Sequence, residues 1–173
     1  MAHKSFETKR LILRPALEGD AKFYLKLLNS PKWIKFIGDR NVGTVAEARR
    51  YIKEKMVSQL EKLGYSNYTI IRKEDGEMLG CCGLYNRDGL EGVDIGFALL
   101  TEYEKQGYAF EAADTLKTAA INEFGILNLK AITSKENVAS QKLLEKLGLS
   151  YVRPVTLPSD SEELMLYELQ VDS

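Results

Sequence analysis

The sequence predicts a mixed α/β fold built on a central, mostly antiparallel sheet flanked by helices, and three observations predict it. Apolar runs with strand character alternate along the chain with runs of helical spacing. Three consecutive strand-like runs in the middle are separated only by turn signals, which favours an antiparallel meander. A chain of 173 residues with 45% hydrophobic content is long enough for one buried core and short for two, so a single domain is expected over residues 1–173.

Taken in order, "RLILRP" is a short strand closed by Pro15, and "GDAKFYLKLLNS" sets Phe23, Leu27 and Leu28 at helical spacing. "TVAEARRYIKEKMVSQLEKLG" is a helix: Thr44 with Glu47 three residues later is a capping box, Ala48, Ile52, Met56, Leu60 and Leu63 form a stripe, and Gly64 follows the end. "NYTIIRK" and "EMLGCCGLY" are strands joined across Asp75-Gly76, and "RDGLEG" turns the chain into a further strand, "VDIGFALL". A helix from about Tyr108 to Phe124, a strand "LKAITS", a helix from about Val138 to Leu147 and two closing strands, "SYVRPVTL" and "EELMLYELQV", complete the order β-α-α-β-β-β-α-β-α-β-β.

Charge and composition exclude several classes. The 24 basic and 25 acidic residues nearly cancel and are interspersed, so the electrostatic footprint of bulk nucleic-acid binding is absent. No apolar stretch approaches the roughly 20 residues of a membrane helix, and the N-terminus has no apolar signal core, so a cytoplasmic location without membrane association is expected. Cys81 and Cys82 are adjacent in a strand, pointing to opposite faces, and are poorly placed to bridge each other. His3, the single histidine, lies in a polar tail, which argues against a zinc site or a histidine-based triad, and no metal is expected.

Chemistry concentrates where the fourth strand hands over to a helix, in "TEYEKQGYAFEA". A helix start offers unpaired N–H groups and a partial positive charge, and a glycine there lets an anion approach the main chain. Gly107 alone fits equally a plain tight turn. Its neighbourhood resembles the GCN5-related N-acetyltransferases (GNAT), whose cofactor motif is Gln/Arg-x-x-Gly-x-Gly/Ala at a helix start, here Glu104, Lys105, Gln106, Gly107, Tyr108 and Ala109. "TKRLILRP" followed by "GDA", then "GCCGL", then "NVASQKLLEKLGL" resemble the family's other marks in order, over about residues 8 to 169. The sequence is most similar to the ribosomal-protein-alanine acetyltransferase (RimJ/RimL-like) branch, with Glu104 standing where Gln or Arg is usual.

The resemblance implies acetyl-CoA as co-substrate, with strands four and five splayed around it. It implies main-chain contacts to the pantetheine from Phe97, Ala98 and Leu99, a further contact from Asn137, and a substrate-side wall at Trp33 and Phe36, beside Ile37. The position of the family's usual proton-donating Tyr is Leu144 here, so Ser140, one turn earlier, is the candidate to protonate the departing thiolate. Asn137 and Ser140 fit equally a helix cap and first turn. Asp94, with Glu91 before it, is the candidate general base, and the sequence leaves open which face Asp94 occupies. The expected activity is direct acetyl transfer to a primary amine, a protein N-terminus or a small molecule, in a ternary complex. The alternative is a catalytically weak acyl-CoA-binding module, and both monomer and homodimer remain open.

Overall fold

The computed structural model describes residues 3–158 and 161–170. Eight strands form one sheet in the order β1-β2-β3-β4-β5-β6-β8-β7: β1 Phe6–Glu7, β2 Leu11–Pro15, β3 Asn67–Arg72, β4 Met78–Tyr85, β5 Val93–Leu99, β6 Asn128–Ser134, β7 Ser150–Val155 and β8 Leu164–Gln170. Every neighbouring pair is antiparallel except β5–β6, whose parallel connection is made by the crossover helix α5, Tyr108–Asn122. The predicted mixed, mostly antiparallel sheet is therefore present. The strands expected as fourth and fifth are β5 and β6, because the short β1 adds one to the count.

The two sheet faces carry different helices. On one, α5 and α6 (Val138–Lys146) bury Ala112, Ala113, Leu116, Ala120, Leu144 and Leu147 against Leu13, Ile70, Cys82, Ile95 and Leu129. On the other, α1 (Ala21–Leu28), α2 (Pro31–Phe36) and a long helix over 45–63 bury Tyr24, Leu27, Trp33, Ile52 and Met56 with Cys81. Cys81 and Cys82 thus fall into opposite clusters, as strand alternation requires.

The long helix starts on the predicted cap. The Thr44 hydroxyl oxygen accepts from the Glu47 N–H at 3.1 Å, and Gly64, at φ 86°, ends the helix in the left-handed region. Between α3 (Val45–Tyr51) and α4 (Ser58–Leu63) lies a π-helical stretch, Ile52–Val57. The stripe Ala48, Ile52, Met56, Leu60 repeats every fourth residue and would drift around a helix of 3.6 residues per turn. The wider turn holds all four on the buried side.

Two elements differ from expectation. "PKWIKF" is the helix α2, begun by Pro31 at its first position after Ser30, so three helices rather than two precede β3, besides the short 3-10 turn Glu18–Asp20. Helix α5 ends at Asn122 rather than at Phe124, because Glu123 and Phe124 both direct their N–H groups to the Ala119 carbonyl in a closing turn. Val171, at the end of the last expected strand, lies outside the described residues.

Candidate active site

Strand β5 is paired to β4 from Tyr85↔Asp94 up to Gly80↔Leu99, but to β6 only at Val93↔Leu129 and Asp94↔Lys130. From Ile95 onward the two parallel strands part, so the β5 edge that faces β6 carries unpaired main-chain groups, the kind a pair of ligand amides can complete. Phe97 and Leu99 turn their side chains to the α5 face and Ala98 turns to the other, which leaves their backbone for the open edge. Gly80 makes the strand pairing beside it possible, since a Cβ there would lie 2.0 Å from the Ala98 carbonyl oxygen.

At the top of this wedge the chain turns through Thr101–Tyr103 into α5. Lys105 at φ 62° and Gly107 at φ 84° both occupy the left-handed region, and for Lys105 that costs about 1 kcal/mol or more. Among the described residues, none of the N–H groups from Lys105 to Phe110 donates to a protein acceptor. A concave run of free N–H groups at a helix start is an anion site. Glu104 does not oppose it, because its carboxylate is engaged by the ammonium of Lys32 on α2. Arg10 adds positive charge: its guanidinium stacks 4.3 Å from the Tyr108 ring centroid, and its Nη2 lies 3.3 Å from where a Gly107 Cβ would be.

The motif "TKRLILRP" with "GDA" supplies this scaffold. Arg10 Nε donates to Glu111 Oε1 at 2.8 Å, and the Thr8 hydroxyl donates to the other carboxylate oxygen, tying the β1–β2 turn to the first turn of α5. Partial burial alone would raise the Glu111 pKa, but the Thr8 and Arg10 hydrogen bonds hold it below the usual value. Arg14 grips Asp20 through two bonds, Nη1 to Oδ2 at 3.0 Å and Nη2 to Oδ1 at 2.9 Å, and Asp20 also accepts from Leu17 N and Thr69 Oγ1.

The α1–α4 face of the wedge is polar and buried. Tyr85 lies back over the paired glycines Gly83 and Gly96, where Cβ atoms would come within 2.4 Å and 3.0 Å of its ring or hydroxyl. Its hydroxyl donates to Asn67 Oδ1 at 2.5 Å, Asn67 Nδ2 donates to Tyr24 Oη at 2.6 Å, and Tyr24 meets Thr69 at 3.0 Å. Beside Tyr85, Asp94 is 1% exposed and accepts from Arg87 Nε with both oxygens at 3.0 Å. Burial raises the Asp94 pKa and Arg87 pulls against it. Trp33 packs on this face in the cluster with Cys81 and Leu100, with its indole N–H lacking an acceptor among the described residues. Phe36 and Ile37 end α2 partly exposed, and Glu91 is exposed, giving its carbonyl to Lys130 Nζ at 2.7 Å.

Across the wedge, Asn137 caps α6, its Oδ1 accepting from Ser140 N at 3.2 Å, and Ser140 is half-buried. Leu144 is 1% exposed and sits in the main core, and its apolar side chain has no proton to give a ligand. Cys81 is fully enclosed, its thiol pushed up to about 12 by burial, which leaves no reactive thiolate at neutral pH. Arg87, Tyr85 and Lys32 carry no motif of their own. The glycine pair in the strand interiors was the one available sign of close packing at Tyr85.

An acetyltransferase (GNAT) domain model matches residues 10–150. The Bacillus subtilis (strain 168) protein YjdG, described as an uncharacterized N-acetyltransferase, is 32% identical over 103 residues, which span 59% of this chain and 61% of its own length. An Agrobacterium tumefaciens acetyltransferase structure superposes with a TM-score of 0.82 at 24% identity, covering 98% of this chain and 96% of that one. The structure of RimL, a ribosomal L7/L12 alpha-N-protein acetyltransferase in complex with coenzyme A, superposes at 0.81 with 19% identity, covering 98% and 99%. At these identities the structural likeness shows a shared fold.

Proposed function

The chain belongs to the GNAT acetyltransferase family, and from that premise we propose that it transfers an acetyl group from acetyl-CoA to a primary amine by direct attack in a ternary complex. The observation that carries the reading is the run of free N–H groups from Lys105 to Phe110 at the mouth of the open β5–β6 edge. Those groups bind the pyrophosphate, with Glu104 held aside by Lys32 and Arg10 adding charge. The backbone of Phe97, Ala98 and Leu99 pairs with the pantetheine amides, and Asn137 borders the arm from α6.

The acceptor amine enters from the α1–α4 face, beside Trp33 and Phe36. Asp94 takes the proton that the ammonium loses, directly or through a water, and its raised pKa makes it a better base than an exposed carboxylate. The amine lone pair forms the C–N bond, a β5 edge N–H stabilises the oxyanion, the C–S bond breaks, and Ser140 donates a proton to the thiolate. No covalent acetyl-protein step is needed, and the buried thiols are poorly placed for one.

A second reading, an acyl-CoA-binding module with little turnover, draws on Leu144, which buries an apolar side chain where the family usually has its proton donor. Thiol release separates the two. With acetyl-CoA and a panel of amines, the transferase releases CoA in an amine-dependent manner and gives intersecting initial-rate lines. Binding of acetyl-CoA without amine-dependent release would leave only the module.

A further inference from the structure

Arg87 repeats on the α1–α4 face the arrangement of Arg10, with Nε on a carboxylate and the guanidinium against a tyrosine ring. It stands in the loop between β4 and β5, and that loop folds back over the α1–α4 face of the sheet, where Leu90 packs with Leu157, Leu164 and Leu166. Its guanidinium is fixed from two sides, by Asp94 through Nε alone and by the Tyr85 ring, whose centroid lies 4.8 Å away. The two terminal nitrogens have no acceptor among the described residues, and the side chain is 33% exposed. A guanidinium already immobilised, with its fork of donors open, is preorganised for a planar anion.

Its position relative to the transfer site limits the ligand. Asp94 is the last β5 residue paired to β6, and the open edge begins one residue later. At about 3.4 Å per residue, an amine poised opposite Gly96 or Phe97 stands within roughly 10 Å of Asp94 along the strand, and Arg87 is held at Asp94 on that same face of the sheet. Tyr85 fills the space over Gly83 and Gly96, which narrows the room on that face. We infer that Arg87 anchors a carboxylate carried by the acceptor itself, so that the substrates of the transfer reaction are compact amines of the amino-acid type, with amine and carboxylate a few bonds apart. This rests on the acetyltransferase reading and names its acceptor class. Polyamines and other polycations, lacking the anion, are poor acceptors.

The test compares L-amino acids with their carboxamides and with a polyamine, following CoA release by the intact chain. The acids are expected to exceed their amides by about ten- to a hundredfold in kcat/KM, mainly through KM, because a charge-assisted pair is lost. Arg87→Gln removes that preference while acetyl-CoA affinity, measured by calorimetry, stays at the parent value, and Arg87→Lys restores part of it. Amides or polyamines used as well as acids by the parent, or a preference that survives in Arg87→Gln, overturns the inference. If no amine supports CoA release, the transferase reading falls separately. Calorimetric titration of the amino acids into the CoA-loaded chain then decides: binding lost in Arg87→Gln upholds the carboxylate site, and no binding by the parent overturns it.

Discussion

Two arginine–aspartate pairs sit on the same face of the sheet and do different work. Arg14 spends both terminal nitrogens on Asp20 and Pro15, and Asp20 fills its remaining capacity with Leu17 N and Thr69 Oγ1, so the terminal fork and the carboxylate are both engaged. Arg87 uses only Nε on Asp94, and its terminal nitrogens have no acceptor among the described residues. The residue types are identical and both carboxylates are almost fully buried. Engagement of the terminal nitrogens is what separates a clasp from a site, and at the start of α5 Arg10, held to Glu111 through Nε alone, keeps its terminal nitrogens beside the free N–H groups.

The contrast is broken most severely at the clasp. Arg14→Ala leaves Asp20, 4% exposed, as an unpaired buried carboxylate, and a loss of about 3 kcal/mol in urea unfolding is expected. The folded fraction should keep the parent acceptor preference, and a change in that preference would show that the clasp also belongs to the site.

Next comes the open pair. Asp94→Asn should lower kcat by about a hundredfold with acetyl-CoA affinity retained. Because burial raises the Asp94 pKa, the parent rate should fall as acid protonates the base above the ordinary carboxylate value of about 3.9, and the variant should lack that limb of the pH profile. The same shift means that ionising Asp94 costs folding stability as pH rises through its folded pKa. A parent-like pH profile in the variant would move the base elsewhere.

At the phosphate end, Gly107→Val sets a branched side chain at φ 84° with its Cβ 3.3 Å from Arg10 Nη2. CoA binding should weaken by about 1 to 3 kcal/mol in calorimetry, through backbone strain and lost access to the N–H groups. Unchanged affinity in a folded variant would return Gly107 to the role of a turn residue. The smallest effect is expected at Ser140→Ala: turnover falls by up to about tenfold while CoA affinity holds, since a proton delivered to the leaving thiolate matters in the transition state. Equal turnover would assign that proton to water.

The sequence alone was enough for the strand and helix alternation, the Thr44–Glu47 cap, the hairpin at Asp75-Gly76 and the glycine at the start of α5, because each depends on neighbours within a few residues. It also carried the family marks around Gly107 and Asn137. What it left unread was which marks are architecture. Arg10 and Arg14 belong to a motif, yet Arg14 makes a clasp while Arg10, like Arg87 in its turn, keeps its terminal nitrogens open, and nothing local distinguishes them. Only the tertiary structure decided the face of Asp94, the partner of Glu104 and the parting of β5 from β6 after Asp94. Each depends on groups brought together from distant parts of the chain, and a side chain's chemistry follows from which of its hydrogen bonds that assembly leaves unmade.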